Sequence, residues 1–154
     1  MVLVSDWMTK EVVTVEVTDS IGRARRVMAE RRINQLPVVD DGKLVGIVTD
    51  RDIRDAYPTS LVIDRAREID RFADTYTVEE AMSYNLITVR PASPLANAVK
   101  LLRRHRIGAL PVVEKERLVG IITRSNILDF VSSGRSIKSP PKRKRRKASK
   151  RGRR

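Results

Sequence analysis

Ile33-Asn34-Gln35-Leu36-Pro37-Val38-Val39, followed by Leu44-Val45-Gly46-Ile47-Val48-Thr49, decides the fold because it occurs twice. Seventy-four residues downstream stand Ile107-Gly108-Ala109-Leu110-Pro111-Val112-Val113 and Leu118-Val119-Gly120-Ile121-Ile122-Thr123. At the same offset Met8 falls on Met82, Thr14 on Thr88 and Ile53 on Ile127. Aligned without gaps, residues 5–56 and 79–130 share 17 identities in 52 pairs, where average composition gives about three. The chain therefore carries two copies of one unit. One copy is too small to bury its apolar faces, so the copies are expected to pack on each other with pseudo-twofold symmetry.

Both copies read as β-α-β-β-α. A Val/Ile/Thr run at 12–15 and a similar run at 86–89 predict a short strand. A helix follows, capped in copy one by Ser20 or Asp19, with Ala24, Val27 and Met28 at helical spacing. In copy two Ser93 is the expected N-cap, Pro94 falls in the first turn, and Leu95, Ala98, Val99 and Leu102 form the apolar face. Strands at 36–39 and 44–48 flank Asp41-Gly42, a hairpin signal. Copy two has Glu114 to Glu116 at that turn and no glycine. Second helices start near Thr49 and Thr123. The predicted organisation is a mixed α/β fold: repeat one at 1–57, a partly helical connection at 58–77 with its helix near 61–72, repeat two at 78–134 and a tail at 135–154. Thr77 with Glu80 predicts a capping box.

Composition removes several function classes. Among 154 residues, 41% are hydrophobic but only 4% aromatic, so the core is aliphatic. The absence of cysteine excludes disulfides, thiolate zinc sites, iron–sulfur clusters and a cysteine nucleophile. His105 is the only histidine, which excludes multi-histidine metal sites. It stands in Arg103-Arg104-His105-Arg106, where a basic cluster suits a helix C-terminus. No Walker loop, GxGxxG or recognisable Ser/His/Asp context occurs, so no enzyme activity is expected. Apolar runs are far shorter than the roughly 20 residues that span a bilayer, and the N-terminus does not read as a signal peptide, so a cytoplasmic location is expected. Trp7 reads as a packing or dimer-interface anchor.

The net charge of +13 is concentrated at one end. Residues 138–154 hold 11 basic residues and no acid, whereas residues 1–137 hold 21 basic residues and all 19 acids. With Pro140, Pro141, Gly152 and no large apolar residue, the tail is expected to be disordered. Lys142, Arg143, Lys144, Arg145, Arg146 and Lys147 are consecutive. Such a run suits phosphate backbones, DNA or RNA, through counterion release, and equally an anionic membrane, a nuclear localisation signal or a solvated appendage; without aromatic residues any nucleic-acid binding has no base-stacking component.

Thr49-x-x-Asp52 is the pattern with most chemistry. A hydroxyl and a carboxylate three apart meet on a helix's first turn. An ionised Asp can accept both hydroxyls of a ribose diol, unpaired backbone N–H groups at a helix start attract phosphate, and Arg51 can add a charge-assisted bond. The same two residues can equally serve only to cap the helix. Copy two has Asn126 in place of Asp52, one acceptor oxygen and no charge, so weaker binding is expected there.

Two tandem β-α-β-β-α units resemble a pair of CBS domains, a Bateman module. The matching features are Met8 and Met82 before the first strand, the I-x-x-LPVV strands, and the segments Gly46-Ile47-Val48-Thr49-Asp50-Arg51-Asp52 and Gly120-Ile121-Ile122-Thr123-Arg124-Ser125-Asn126. The resemblance covers about residues 1–131 and implies a regulatory module that binds AMP, ADP, ATP or S-adenosylmethionine in clefts between the repeats, and a homodimer. Carried over by position, it implies one site of Thr49, Arg51, Asp52, Ser83, Thr88, Ile107 and Gly108. The second site would comprise Thr123, Ser125, Asn126, Thr9, Thr14, Ile33 and Asn34. Asn34 and Gln35 are neutral where family members often place a basic residue, which argues against tight triphosphate binding. Ile33 and Ile107 also suit the core. The alternative is a nucleic-acid-associated protein in which the CBS pair dimerises and the basic tail binds DNA or RNA.

Overall fold

The computed structural model describes residues 1–58 and 66–137. After a 3-10 turn at Val4–Asp6, the first repeat contains β1 (Val15–Glu16), α1 (Ile21–Arg31), β2 (Gln35–Asp40), β3 (Lys43–Thr49) and α2 (Asp50–Ala56). Then come α3 (Ala66–Thr75) and the short α4 (Val78–Ala81). The second repeat contains α5 (Leu95–His105), β4 (Ala109–Glu114), β5 (Arg117–Thr123) and α6 (Arg124–Ser132). Part of the connecting helix expected at 61–72, and the tail from 138 onward, lie outside the described residues. No described helix is long and apolar enough to cross a membrane.

Two antiparallel hairpins, β2–β3 and β4–β5, form one five-stranded sheet in the order β1-β2-β3-β5-β4. They meet where Lys43 pairs with Arg117, residues related by the repeat offset, so the pseudo-twofold passes through that pair. Both hairpin turns need two left-handed residues. Asp41 (φ 50°) and Gly42 (φ 75°) supply them in repeat one, and Lys115 (φ 50°) and Glu116 (φ 66°) in repeat two. The repeat without glycine therefore makes the same turn, with two side chains in a region that costs roughly 1–2 kcal/mol per residue.

The expected first strands are shorter than the sequence suggests. In repeat one only Val15 and Glu16 pair, parallel to Val38 and Val39. In repeat two Val89 makes a lone bridge to Val112. The reason lies just upstream. Thr9 exchanges two 2.9 Å backbone hydrogen bonds with Ile121 of the other repeat, and Ser83 exchanges bonds of 2.9 and 3.1 Å with Ile47. Residues 10–14 and 84–88 thus leave one hairpin and arrive at the other. A segment in transit between hairpins has no ladder partner.

These crossings exchange the N-terminal arms of the two repeats. Val4 is buried with Leu95, Leu110, Val112, Ile122 and Phe130 in the core of repeat two. Ala73, Val78 and Met82 are buried with Ile21, Leu36, Val38, Val48 and Ile53 in the core of repeat one. The exchange also caps helices. Ile21 N–H at the start of α1 donates to the Tyr76 carbonyl, and Leu95 N–H at the start of α5 donates to Val2, both at 2.9 Å. Ser20 Oγ caps α1 by accepting from Arg23 N–H at 3.1 Å. The N-cap of α5 is Pro94 rather than Ser93. Ser93 Oγ instead accepts from Arg90 N–H at 3.1 Å, closing the turn before the helix. Thr77 makes no side-chain cap, because the first N–H groups of α4 already donate to the carbonyls of Asp19 (2.7 Å) and Val17 (3.1 Å).

A methionine locks each arm onto a glycine. A Cβ added to Gly46 would stand 2.5 Å from Met82 Sδ and 3.0 Å from the Ser83 carbonyl. One added to Gly120 would stand 2.5 Å from Met8 Sδ and 3.1 Å from the Thr9 carbonyl. Gly46→Ala and Gly120→Ala are therefore expected to destabilise the fold by about 1–3 kcal/mol each in urea unfolding, as overpacked sites do. Values near zero would mean the arms are loosely held. Glu116→Gly should raise stability by about 1 kcal/mol, roughly 2–4 °C in Tm for a chain of this size. A lowered Tm would show that the turn is not strained.

Candidate functional site

Two cavities lie between the repeats, and their walls follow from the crossings. The first, about 390 Å3, is bounded by Ile47, Thr49, Asp50, Arg51 and Arg54 from the end of β3 and from α2. Opposite them stand Arg106, Ile107, Gly108 and Ala109 of repeat two, with Asn85, Leu86 and Ile87 of the crossing segment closing one side. The second cavity, about 480 Å3, repeats this arrangement with the copies interchanged. Ile121, Thr123, Ser125 and Asn126 face Arg32, Ile33 and Asn34, and Glu11 to Val13 form the crossing wall.

Capping boxes hold the helix starts that enter these walls. Thr49 N–H donates to Asp52 Oδ2 at 2.9 Å, and Asp52 N–H donates to Thr49 Oγ1 at 3.1 Å. Asp52 Oδ1 has no hydrogen-bond partner among the described residues, so one carboxylate oxygen holds the helix and the other remains an acceptor. Asn126 is more fully engaged. Its Oδ1 accepts from Thr123 N–H (2.8 Å) and from the Thr123 hydroxyl (2.9 Å), and its Nδ2 donates to Thr9 Oγ1 (3.3 Å).

The cavities also differ in charge. Arg51, Arg54, Arg106 and Arg124 line the first, against Asp50 alone. Arg32 and Arg124 line the second, against Glu11. Arg54 is 3.5 Å from Asp50, and Arg51 is 3.8 Å from Asp55. Both pairs are exposed and worth at most about 1 kcal/mol, so an anion entering the cavity can displace them. Among the described residues Arg32, Arg106 and Arg124 have no carboxylate within ion-pair distance.

The sequence model of the CBS domain matches residues 4–59 and 78–133. This chain belongs to the CBS-domain family. It is 36% identical over 132 residues to a CBS domain-containing protein of Dictyostelium discoideum, covering 84% of this chain and 91% of that one. Among solved structures it is similar to CBSX2 of Arabidopsis thaliana, crystallised in complex with AMP: TM-score 0.71, 28% identity, 86% of this chain and 98% of that one. It is similar also to the CBS domain pair of protein MJ0100 in complex with 5'-methylthioadenosine and S-adenosyl-L-methionine: TM-score 0.67, 29% identity, 88% of this chain and 99% of that one. Longer relatives match too. Of a homoserine O-acetyltransferase from Methanohalobium evestigatum, 36% identical, the chain spans 23%.

Within this CBS pair, the structure brings Thr49, Arg51, Ile107 and Gly108 to the first cavity. It brings Thr9, Ile33, Asn34, Thr123, Ser125 and Asn126 to the second. Asp52 is not in the lining of the first cavity; it is held in the capping box at the start of α2. Ser83 is held in the backbone exchange with Ile47, and its Oγ accepts from Asn85 N–H at 3.3 Å. Thr88 faces a separate depression beside Lys43, Leu44 and Glu116, and Thr14 is half-buried outside the second wall. Each crossing wall ends one residue before its threonine, at Ile87 in the first cavity and Val13 in the second.

Sequence reading missed the arginines Arg54, Arg106, Arg124 and Arg32. A signal for two of them was present. Arg32 and Arg106 occupy the same place in both copies, directly before Ile33 and Ile107. Both close their helices with φ 54°, a position where glycine is usual.

Proposed function

We propose that this chain is a non-catalytic regulatory module that senses an adenosine compound bound in the first cavity of its CBS pair. The observation that carries the reading is the mixed apolar and basic lining of that cavity. Ile47, Ile87 and Ile107 offer apolar surface to a base, and Arg51, Arg54, Arg106 and Arg124 in the same lining offer positive charge to a phosphate. Asp52, next to Arg51 on α2 but not itself in the lining, is the ribose acceptor in this reading, its Oδ1 left free by the cap. A volume of about 390 Å3 falls within the 300–1,000 Å3 typical of small-molecule sites. The AMP complex of CBSX2 supports the ligand class, and the MJ0100 complexes keep S-adenosylmethionine within it. The neutral Asn34 and Gln35 argued against a triphosphate; the four arginines supply the charge those positions lack, so AMP, ADP and ATP all fit this reading. The second cavity, with Asn126 already bonded on both amide atoms, is the weaker site. A cytoplasmic setting, where adenylates are abundant, belongs to the same reading.

A second copy of the chain is the expected partner. Leu128 (68% exposed) and Val131 (62% exposed) lie three residues apart on α6 and support it. A monomer mass in sedimentation equilibrium would remove this part of the reading. The basic run from Lys142 to Lys147 favours an additional role in binding DNA or RNA. Truncation at residue 137 should abolish nucleic-acid retention at low salt, and retention that survives truncation would contradict it.

Thermal shift tests the ligand. A ligand at 100 times its Kd stabilises the native state by about 2.7 kcal/mol, several degrees in Tm. AMP, ADP, ATP, S-adenosylmethionine and NAD are compared. At least one adenosine compound should raise Tm, and Asp52→Ala should lose most of that gain. An AMP gain unchanged by the substitution would count against Asp52 as the ribose ligand.

A further inference from the structure

Four residues line both cavities: Asn34, Gln35, Gly108 and Arg124. The two sites therefore meet at one junction, and Arg124 is the only charged side chain in it. Its position is fixed from two directions. Arg124 is the first residue of α6, held by the Thr123 cap, and its N–H donates to the Gly108 carbonyl at 3.1 Å. Gly108 in turn faces Gln35, whose Nε2 would stand 3.2 Å from an added Cβ. The pseudo-twofold relates Arg124 to Asp50, whose N–H donates to Asn34 in the same way at 2.9 Å. Yet Asp50 lines only the first cavity, and its carboxylate is paired with Arg54. At this position the two repeats differ by a reversal of charge.

We infer that Arg124 is a shared phosphate contact for both cavities and couples their occupancy. This rests on the proposal that the cavities take adenosine compounds. A phosphate seated in either cavity draws on the same guanidinium, so phosphate-bearing ligands compete for it while an uncharged nucleoside does not. The linkage is reciprocal: whatever one bound phosphate costs the other cavity, the other costs it in return. Arg51 and Arg54 serve the first cavity alone, and Arg32 the second alone.

The cavities carry separate isoleucine reporters. Ile87 and Ile107 line the first, and Ile33 and Ile121 the second. The full chain, labelled at isoleucine methyls, is titrated with AMP and with adenosine by NMR. Arg124→Gln should weaken AMP at least about fivefold, the lower range of site coupling, at both pairs of methyls, and leave adenosine within about twofold. Arg51→Gln should weaken AMP only at Ile87 and Ile107. It should also let AMP reach Ile33 and Ile121 at lower concentration, because Arg124 is then contested less. That gain should vanish in the Arg124→Gln background. Arg124→Lys, which keeps the charge, should fall between the unmodified chain and Arg124→Gln. If Arg124→Gln does not fold, salt gives the second readout: AMP affinity at both pairs should fall with ionic strength while adenosine affinity holds. A loss at only one pair, an equal loss for adenosine, or the absence of any gain in Arg51→Gln would overturn the shared contact while leaving the nucleotide site intact. Failure of both AMP and adenosine to move any of the four methyls in the unmodified chain would overturn the nucleotide reading, and the shared contact with it.

Discussion

The backbone exchanges between Thr9 and Ile121 and between Ser83 and Ile47 hold this molecule together. Each ties the arm of one repeat to the last strand of the other. Each is locked by a methionine sulfur over a glycine that has no room for a Cβ. Because the arms cross, neither core closes with its own residues: Val4 completes the second and Val78 with Met82 completes the first. The cavities are a consequence of this exchange. A chain that must travel from one hairpin to the other leaves a stretch of unpaired extended backbone, and those stretches are the cavity walls.

The duplication was legible because both copies kept the residues that the exchange demands: Met8 and Met82, Gly46 and Gly120, and the two LPVV strands. Helix spans and the hairpin at Asp41-Gly42 followed from caps and periodicity. The exchange itself was not legible. Local sequence cannot say whether a Val/Ile/Thr run pairs within its own repeat or crosses, and so 12–15 and 86–89 read as strands. Thr14 and Thr88 fall just past the crossing walls, which end at Val13 and Ile87. Ser93 was misread for a related reason. Its helix start is satisfied by Val2, a residue far away in sequence.

The candidate site was half visible. Thr49, Asp52 and their counterparts Thr123 and Asn126 form a local motif, and both capping boxes are present. The capping role and the proposed ribose role of Asp52 are compatible, since the cap uses one oxygen. The arginines were invisible as a group because they come from the end of α1, the end of α5, the last turn of α2 and the start of α6, and come to the cavities only in the folded pair. In an arginine-rich chain none of them stands out singly. Their distribution makes the two repeat-related cavities chemically unequal.

A crystal structure of the chain grown with AMP tests the central claim most directly. The account predicts AMP in the first cavity, its base against Ile107, its ribose hydroxyls within hydrogen-bond distance of Asp52 and its phosphate towards Arg51 and Arg124. A first cavity closed by packed side chains, or AMP bound there with the Asp52 carboxylate turned to solvent, would contradict it.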